Sequence, residues 1–216
     1  MELTLQMGPG SHVLTFPVNH GKILNIVAFH TNPDEWPDYN RLTRSAKRED
    51  AIRDFEGFGP NVMELLKLTK PDLDCWAIFH LGDHPVPHFH KGRLLILGDS
   101  AHATSPHHGA GAGMCIEDSA VLAELLASAR VRGPGDLATV FEVFDAHRRE
   151  RGQWLVQSSK FTGDLYEWQA EGIGRDFKKI EAAINERNGI IGNVDVEAMC
   201  SAAVQDLERR LSTATL

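Results

Sequence analysis

The feature that most constrains the fold is a short apolar run that ends in an acid. Residues 93–97 include the continuous run Leu-Leu-Ile-Leu, and Gly98 and Asp99 follow it directly. A strand without polar positions is typical of a strand buried on both faces between parallel neighbours. The other strand candidates alternate between apolar and polar residues, as one-sided antiparallel strands do. The sequence therefore predicts a sheet from which some strands are missing.

The first thirty residues predict an antiparallel meander. Apolar residues alternate along residues 3–7, and a Gly-Pro-Gly turn follows at residues 8–10. Strand-like segments at residues 12–18 and 22–30 then flank the turn signal Asn-His-Gly at residues 19–21. This pattern predicts three strands joined by two short turns.

The rest of the chain predicts mainly helices. Residues 39–69 predict a helix that is broken at residues 57–60, and residues 75–81 predict one more strand. Residues 82–91 predict a loop, because prolines remove two backbone donors within it. Apolar periodicity predicts three helices in the C-terminal half, at residues 114–129, 136 to about 169, and 196–207.

Composition and charge exclude several classes of protein. The chain has 216 residues, 42% of them apolar, which is enough for a substantial hydrophobic core. A net charge of -8 disfavours a nucleic-acid partner, and no run approaches the roughly 20 apolar residues of a membrane-spanning helix. Three cysteines without a C-x-x-C pair, and an N-terminus without a secretory signal, predict a cytoplasmic protein.

The segment after the apolar run has the chemistry of a ligand site. Asp99 lies at the carboxyl end of the predicted strand, where open α/β sheets bind ligands, and a carboxylate there can accept hydrogen bonds from sugar-type hydroxyls. Gly109, Gly111 and Gly113 leave the backbone open to a flat ligand. The amides at the start of the next helix favour an anion or an electron-rich carbonyl. Neither G-x-G-x-x-G nor the G-x-x-x-x-G-K-[ST] phosphate loop is present.

This segment resembles the second flavin-binding motif of single-component FAD-dependent aromatic hydroxylases, of the salicylate hydroxylase and para-hydroxybenzoate hydroxylase type. Residues 92–126 are similar to the pattern G-R-x-x-L-x-G-D-A-A-H-x-x-x-P-x-x-G-x-G-x-x-x-x-x-E-D-A. Residues 12–29 resemble strands of the family's substrate domain, and residues 144–158 resemble its Arg-x-x-Arg helix. The resemblance covers about residues 1–170, and the amino-acid sequence around His108 is most similar to that of fungal members.

The resemblance implies a mixed α/β (α+β) fold. It implies part of a Rossmann-like FAD-binding domain, the antiparallel sheet of a substrate domain, and long C-terminal helices. Residues 1–90 would be a partial substrate-binding domain, residues 91–170 the second half of the FAD-binding domain, and residues 171–216 a helical extension. Family members begin with a Rossmann strand and G-x-G-x-x-G, so we expect this chain to correspond to the C-terminal portion of such an enzyme.

The resemblance also implies a set of site residues. Its cofactor-binding positions in this chain are Gly98, Asp99, Pro106, Gly109, Gly111, Ala112, Gly113 and Met114. Asp99 would bind the ribityl chain of FAD, the Pro106 backbone would lie beside the ring, and the amides of residues 111–114 would face its pyrimidine edge. The implied substrate contacts are Phe16, Pro17, Asn25 and Val27. Phe16 stands where some relatives have tyrosine, and His108 and Ala110 stand where glutamine is frequent.

The activity implied by the resemblance is hydroxylation of an aromatic, salicylate-like substrate with NAD(P)H and O₂. FAD would be the cofactor, NAD(P)H the co-substrate of the intact enzyme, and a small aromatic molecule the partner. The sequence names no catalytic acid or base. An alternative is a catalytically silent fragment or a regulatory interaction module. The unpaired edges of the apolar strand also leave self-association open.

Three other charged or histidine-rich segments have simpler interpretations. Glu117 and Asp118 are expected to complement the dipole of a first helical turn rather than act as catalytic carboxylates. The arginines at residues 148–151 alternate with acids and predict a solvated or interdomain helix face. His88 and His90 have a spacing that can ligate a metal, but no supporting ligand follows, so no metal site is expected.

Overall fold

A computed structural model describes residues 3–32 and 34–213 of the chain. Its strands are β1 (Thr4–Gly8), β2 (Ser11–Val18), β3 (Ile23–His30), β4 (Thr43–Lys47), β5 (Asp72–Trp76), β6 (His90–Lys91) and β7 (Leu94–Leu95). Its α-helices are α1 (Arg48–Asp54), α2 (Pro60–Lys67), α3 (Asp99–His102), α4 (Gly111–Ala127), α5 (Leu137–Tyr166), α6 (Phe177–Gly192) and α7 (Val196–Thr213). This combination of helices with small antiparallel sheets confirms the predicted mixed fold class.

The elements form two compact units. The first lies within residues 1–78 and 163–181, and the second within residues 79–162 and 182–216. The division into residues 1–90, 91–170 and 171–216 stays a prediction. Within the described ranges, no helix is both long enough and apolar enough to cross a bilayer.

In the first unit, β1, β2 and β3 form the predicted antiparallel meander. Gly8 of β1 lies opposite Ser11 of β2, and Phe16 of β2 lies opposite Asn25 of β3. Gly10 in the first turn has a φ of 69°, a left-handed value that glycine adopts without steric cost. The alternation of the sequence fixes the register, because a slip of one residue would exchange the two faces of each strand.

One face of the meander belongs to the hydrophobic core of the first unit. Val13 of β2 is fully buried and forms a cluster with Phe55, with Val62 and Leu66 of α2, and with the partly buried Ile26 of β3. Val13 and Ile26 lie on the same face of the sheet, given the register of β2 with β3. The opposite face carries three of the four residues that were predicted to contact a substrate, namely Phe16, Asn25 and Val27.

Two predictions for residues 39–81 are wrong. Residues 43–47 form the strand β4 rather than part of a helix, and they pair antiparallel with β5. β5 ends at Trp76, whereas the sequence predicted a strand that continues to residue 81. The segment Thr-Arg-Ser-Ala-Lys has no apolar alternation that would indicate a strand, so its pairing with β5 overrides its local preference. The predicted helix itself is present as α1 and α2, on either side of the predicted break.

In the second unit, the apolar run at residues 93–97 is not a strand buried on both faces. Only Leu94–Leu95 forms a strand, β7, which pairs antiparallel with β6. The Leu94 side chain is 65% exposed. A strand buries both faces only when it has covered neighbours on either side, and no further strand of the described ranges pairs with β7. The prediction of a parallel strand is therefore wrong for this chain as described.

The hydrophobic core of the second unit involves α4, α5 and α7. Val121 and Leu125 of α4, Phe144 of α5 and Leu207 of α7 are fully buried in one cluster. The structure confirms the helices predicted at residues 114–129, 136 to about 169, and 196–207. They are present as α4, α5 and α7, with the observed bounds given above. It also contains α6, which the sequence analysis did not predict.

Gly152 of α5 makes room for the buried imidazole of His102. A Cβ atom added at Gly152 would lie 2.7 Å from Cδ2 of His102, and His102 is only 1% exposed. Gly152→Ala is therefore expected to lower the free energy of unfolding by about 1 to 3 kcal/mol, the usual cost of overpacking a core. Urea unfolding followed by circular dichroism measures this change.

Gly189→Ala in α6 is the matched control. A Cβ atom there would lie 3.6 Å from Nδ2 of Asn193, an ordinary contact. Alanine has the higher helix propensity, so this variant should raise the free energy of unfolding by about 0.5 to 1 kcal/mol. An equal rise for Gly152→Ala would contradict the close packing of His102.

Candidate cofactor site

The candidate site begins with a sharp turn at Gly98. Gly98 has φ 59° and ψ -142°, a combination that essentially only glycine adopts. A Cβ atom there would lie 3.0 Å from Sγ of Cys115, so the turn is also crowded. Asp99 follows as the first residue of α3; its side chain is exposed, and no described residue hydrogen-bonds it. The carboxylate is therefore free to accept hydrogen bonds from a ligand.

A short loop leads from α3 to α4. Residues Pro106–His108 form a single turn of 3-10 helix, and Pro106 is exposed. Gly109 ends this turn with φ 62°, where any larger residue would be strained. No atom lies within 4 Å of the position that a Gly109 Cβ would take. The backbone requires this glycine, and the space in front of it is open.

The start of α4 presents bare backbone. Its first three residues are Gly111, Ala112 and Gly113, and the last two are exposed. The amides of a first helical turn have no acceptor within the helix. The amide of Met114, in contrast, donates to the carbonyl of Ala110 at 2.9 Å, and the Met114 side chain is buried. The amides left for a ligand are therefore those of residues 111–113.

These groups fit a flavin. An exposed carboxylate matches the hydroxyls of a ribityl chain, bare backbone matches a flat ring, and helix amides match the carbonyl-rich edge of that ring. All eight predicted cofactor-binding positions lie on this one stretch of chain. Gly98 and Met114 are buried and offer no surface to a ligand, whereas the other six positions are exposed or half-buried.

A buried carboxylate, Asp118 of α4, connects the turn at Gly98 to α5. Its Oδ2 accepts the Gly98 amide at 3.1 Å and lies 2.7 Å from Nε2 of His102. Its Oδ1 accepts a hydrogen bond from Nε of Arg148 at 2.7 Å. The side chains of Asp118 and Arg148 are both fully buried. Burial opposes ionisation of Asp118, but the hydrogen bonds from His102, Arg148 and Gly98 outweigh it, and the pKa of Asp118 is lowered. Asp118 is therefore ionised at neutral pH.

Glu117 extends this network to a second arginine. Its carboxylate accepts Nη2 of Arg148 at 2.9 Å, and it accepts Nε and Nη2 of Arg151 at 2.7 and 2.8 Å. Burial again opposes ionisation, but the arginines outweigh it and lower the pKa of Glu117. The prediction that Glu117 and Asp118 complement a first-turn dipole is wrong, because both lie in the interior of α4. The prediction of a solvated or interdomain helix face is wrong for Arg148, which is fully buried within the second unit.

Nearly every polar atom of this network has a partner. Arg148 also donates to two thioethers, from Nη1 to Met199 Sδ at 2.8 Å and from Nη2 to Met114 Sδ at 2.9 Å. The exception is Nδ1 of His102, which is buried without a partner. Because the carboxylate of Asp118 faces Nε2, that nitrogen carries a proton and donates it to Asp118.

The histidine-rich loop before β6 makes ordinary polar contacts. Nδ1 of His88 lies 2.8 Å from Nη1 of Arg149 and 3.6 Å from Oδ2 of Asp145. Among the described residues, no group of three or more His, Cys, Asp or Glu side chains is placed to hold a metal ion.

The predicted substrate residues lie on β2 and β3 of the first unit. Phe16 lies directly opposite Asn25, and Val27 follows two positions along the same face of β3. All three are half-buried. Pro17 lies on the opposite face, because successive residues of a strand alternate. Three of the four predicted residues therefore share one surface.

The same face of the sheet carries a buried polar pair that the sequence analysis missed. Nδ1 of His12 lies 3.0 Å from Oε1 of Glu167, and Thr31 donates to Oε2 of Glu167 at 2.7 Å. The His12 ring stacks on Phe29 with their centroids 4.3 Å apart. The sequence did contain one signal for this pair: His12 and Phe16 are four residues apart in β2, so they lie on the same face of the strand. The partner of His12 is far away in the sequence, so no local pattern could have identified it.

Comparison with known proteins identifies one matching family model and several similar proteins. Residues 65–159 match the family model for an FAD binding domain. The FAD-dependent monooxygenase pigN of Monascus ruber is 46% identical, over 96% of this chain and 49% of that protein. The salicylate hydroxylase asL1 of Sarocladium schorii is 37% identical, over 94% of this chain and 46% of that protein.

A solved structure has the same fold. A salicylate hydroxylase in a substrate complex superposes with a TM-score of 0.86 at 35% identity, over 94% of this chain and 49% of that one. The chain thus spans about half the length of the curated relatives it matches.

Asp118→Asn tests the buried network. The variant leaves the charge of Arg148 in the core without its full partner, so the free energy of unfolding is expected to fall by about 3 to 5 kcal/mol. Asp83→Asn, a change at an exposed acid, should alter it by less than about 0.5 kcal/mol. Denaturant unfolding of both variants at neutral pH measures the difference, and equal values would contradict the role of Asp118.

The lowered pKa of Asp118 also sets the sign of its pH dependence. Because the pKa is lower in the folded than in the unfolded chain, Asp118 stabilises the fold above about pH 4. This stabilisation is lost as the pH falls through the folded-state pKa. Between about pH 5 and about pH 3, the wild type should therefore lose more stability than Asp118→Asn. A steeper loss in the variant would reverse the assignment.

Proposed function

The chain belongs to the FAD-dependent monooxygenases, and from this premise we propose that residues 98–113 contact the flavin of an enzyme that hydroxylates a small aromatic, salicylate-like substrate with NAD(P)H and O₂. The observation that carries the proposal is the bare start of α4 together with the unpaired carboxylate of Asp99. Both groups are accessible, and the fold itself uses neither of them. Polar groups that a fold leaves unused are the ones available to a ligand.

Each of these groups has a role toward FAD. Asp99 accepts hydrogen bonds from ribityl hydroxyls, and the amides of residues 111–113 donate to the carbonyls of the ring. Pro106 and Gly109 give the ring a backbone surface, since no side chain fills the space in front of Gly109. FAD supplies the oxygen chemistry when it is bound. The residues of this chain bind and orient it.

The aromatic substrate contacts the face of β2 and β3 that carries Phe16, Asn25 and Val27. Phe16 offers a ring for stacking, Val27 offers apolar surface, and the Asn25 amide can donate or accept a hydrogen bond. Pro17 lies on the other face and is left out of this set. The aromatic class is supported by the names of relatives, among them two salicylate hydroxylases.

A second candidate function is a non-catalytic interaction module. The observation that favours it is the short sheet of β6 and β7, in which Leu94 is exposed. This sheet presents a strand edge with which another chain can pair. A second copy of this chain is one such partner.

Titration with FAD separates the two candidates. The chain alone should quench flavin fluorescence with weak affinity and show no NAD(P)H oxidation stimulated by salicylate, because the proposed contacts of residues 98–113 involve only the flavin part of FAD. Adding a second polypeptide, the dinucleotide-binding half of pigN, should tighten FAD binding and produce turnover. Turnover by the chain with FAD alone would contradict the need for a second polypeptide. Absence of FAD binding under both conditions would favour the interaction module.

Asp99→Ala tests the proposed ribityl contact. The variant removes a charged acceptor that makes no hydrogen bond within the described fold, so FAD affinity should fall about ten-fold while stability stays unchanged. Asp83→Ala, at another exposed acid, should leave the affinity within about two-fold. Fluorescence titration in the presence of the complementing polypeptide gives both values. Equal affinities for the two variants would mean that Asp99 only begins α3.

Gly111→Val tests the close approach of the ring. The added Cβ would lie 3.4 Å from Cγ2 of Thr104, at the short end of ordinary contacts. FAD affinity should fall at least about ten-fold, while the melting temperature falls by only about 2 to 4 °C. Gly133→Val, where open space surrounds the added Cβ, is the control and should bind FAD normally. Normal binding by Gly111→Val would contradict the proposed ring position.

A further inference from the structure

His108 connects the loop before α4 to the long helix α5. Its Nε2 lies 2.9 Å from Oγ of Ser158 and 3.1 Å from Oγ1 of Thr162. We infer that His108 is a positioning residue that fixes the backbone of residues 109–111 through these two hydroxyls, so that the backbone is already placed to meet the flavin ring. The ligand in this inference rests on the proposed function, whereas the fixing of the loop does not.

The two hydroxyls are well placed to hold an imidazole. Ser158 and Thr162 are four residues apart, so they lie on the same face of α5. Ser158 is 5% exposed and Thr162 is fully buried. Buried hydroxyls need hydrogen-bond partners, and one ring nitrogen of His108 lies within reach of both. Side chains from one helix turn therefore hold a ring that is attached to the loop.

The loop needs such a contact because little else fills the space around it. Gly109 is exposed, and no atom lies within 4 Å of its Cβ position. The Gly109 amide donates to the Pro106 carbonyl at 2.9 Å, a bond that lies inside the loop. Glycine at two of the three positions 109–111 also makes this backbone costly to order. A contact with the neighbouring helix reduces that cost before any ligand arrives.

The surroundings of His108 favour a neutral ring. Burial lowers its pKa first, and the positive charge of Arg187 on α6 lowers it further. Arg187 is itself held over the ring of Phe161, with its guanidinium carbon 4.2 Å from the ring centroid. A neutral imidazole bonds to hydroxyls as donor or acceptor and adds no charge next to the flavin site.

Three variants test the inference. His108→Leu removes the hydrogen bonds, and His108→Gln keeps a side chain that can donate and accept them. Ser158→Ala combined with Thr162→Val leaves His108 in place but removes both hydroxyls at nearly constant volume. Two controls match these changes: His84→Gln, at an exposed loop histidine, and Ser159→Ala, which removes a buried hydroxyl that has no partner.

The first readout is amide hydrogen exchange of the chain without ligand. In His108→Leu and in the Ser158/Thr162 double variant, exchange at Gly109 should rise about ten-fold, a change of about 1.4 kcal/mol in the free energy of opening. Exchange at Val121 and Leu125 in the core of α4 should stay unchanged. His108→Gln and both controls should remain within about three-fold of the wild type.

The second readout is the affinity for FAD, measured by flavin fluorescence with the complementing polypeptide present. It should fall about ten-fold in the same two variants and be largely restored in His108→Gln. Unchanged Gly109 exchange in His108→Leu would overturn the inference. Equal increases at Gly109 and Val121 would also overturn it, since they would indicate a general packing role. If the wild type fails to bind FAD, the proposed function is wrong, while the exchange data still decide whether His108 fixes the loop.

Discussion

The buried pair of Asp118 and Arg148 is the interaction on which the second unit depends. Removing either partner leaves the charge of the other in the core without its full compensation, which destabilises the fold. Asp118 also accepts the Gly98 amide, so the pair fixes the turn from which Asp99 extends into solvent. The same helix, α4, carries Asp118 in its interior and the bare amides at its start. The geometry of the proposed flavin surface is therefore set by an interaction that does not involve the flavin.

Local patterns predicted the parts of the fold whose stability is local. The meander follows from alternation with turn residues, and α5 follows from apolar residues at helical spacing, so both could be predicted. β4 could not, since its polar sequence becomes a strand only through pairing with β5. α6 has apolar residues at helical spacing, at positions 177, 180 and 184, but they lie among lysine, glutamate and asparagine, and this signal was not used. The apolar run at residues 93–97 was misjudged because burial of both faces depends on neighbours that the run itself cannot specify.

The ion network shows where a signal was present but not used. Asp118 falls in the same stripe of α4 as Met114, Val121 and Leu125, all of which are buried. A carboxylate in an apolar stripe requires a buried cation, and Arg148 falls four residues after the core residue Phe144 on α5. Pairing these two stripes would have predicted the salt bridge. The contact between His108 and α5 had no such signal, because hydroxyls at residues 158 and 162 are compatible with many surfaces.

The two thioethers that accept hydrogen bonds from Arg148 make the core sensitive to oxidants. Conversion of Met114 to the sulfoxide would add a polar oxygen to a space that is already filled. Met114 is only 2% exposed, so its sulfur reacts with hydrogen peroxide only while α4 is locally open. The rate at which Met114 is oxidised therefore measures how often the helix that carries the proposed flavin surface opens.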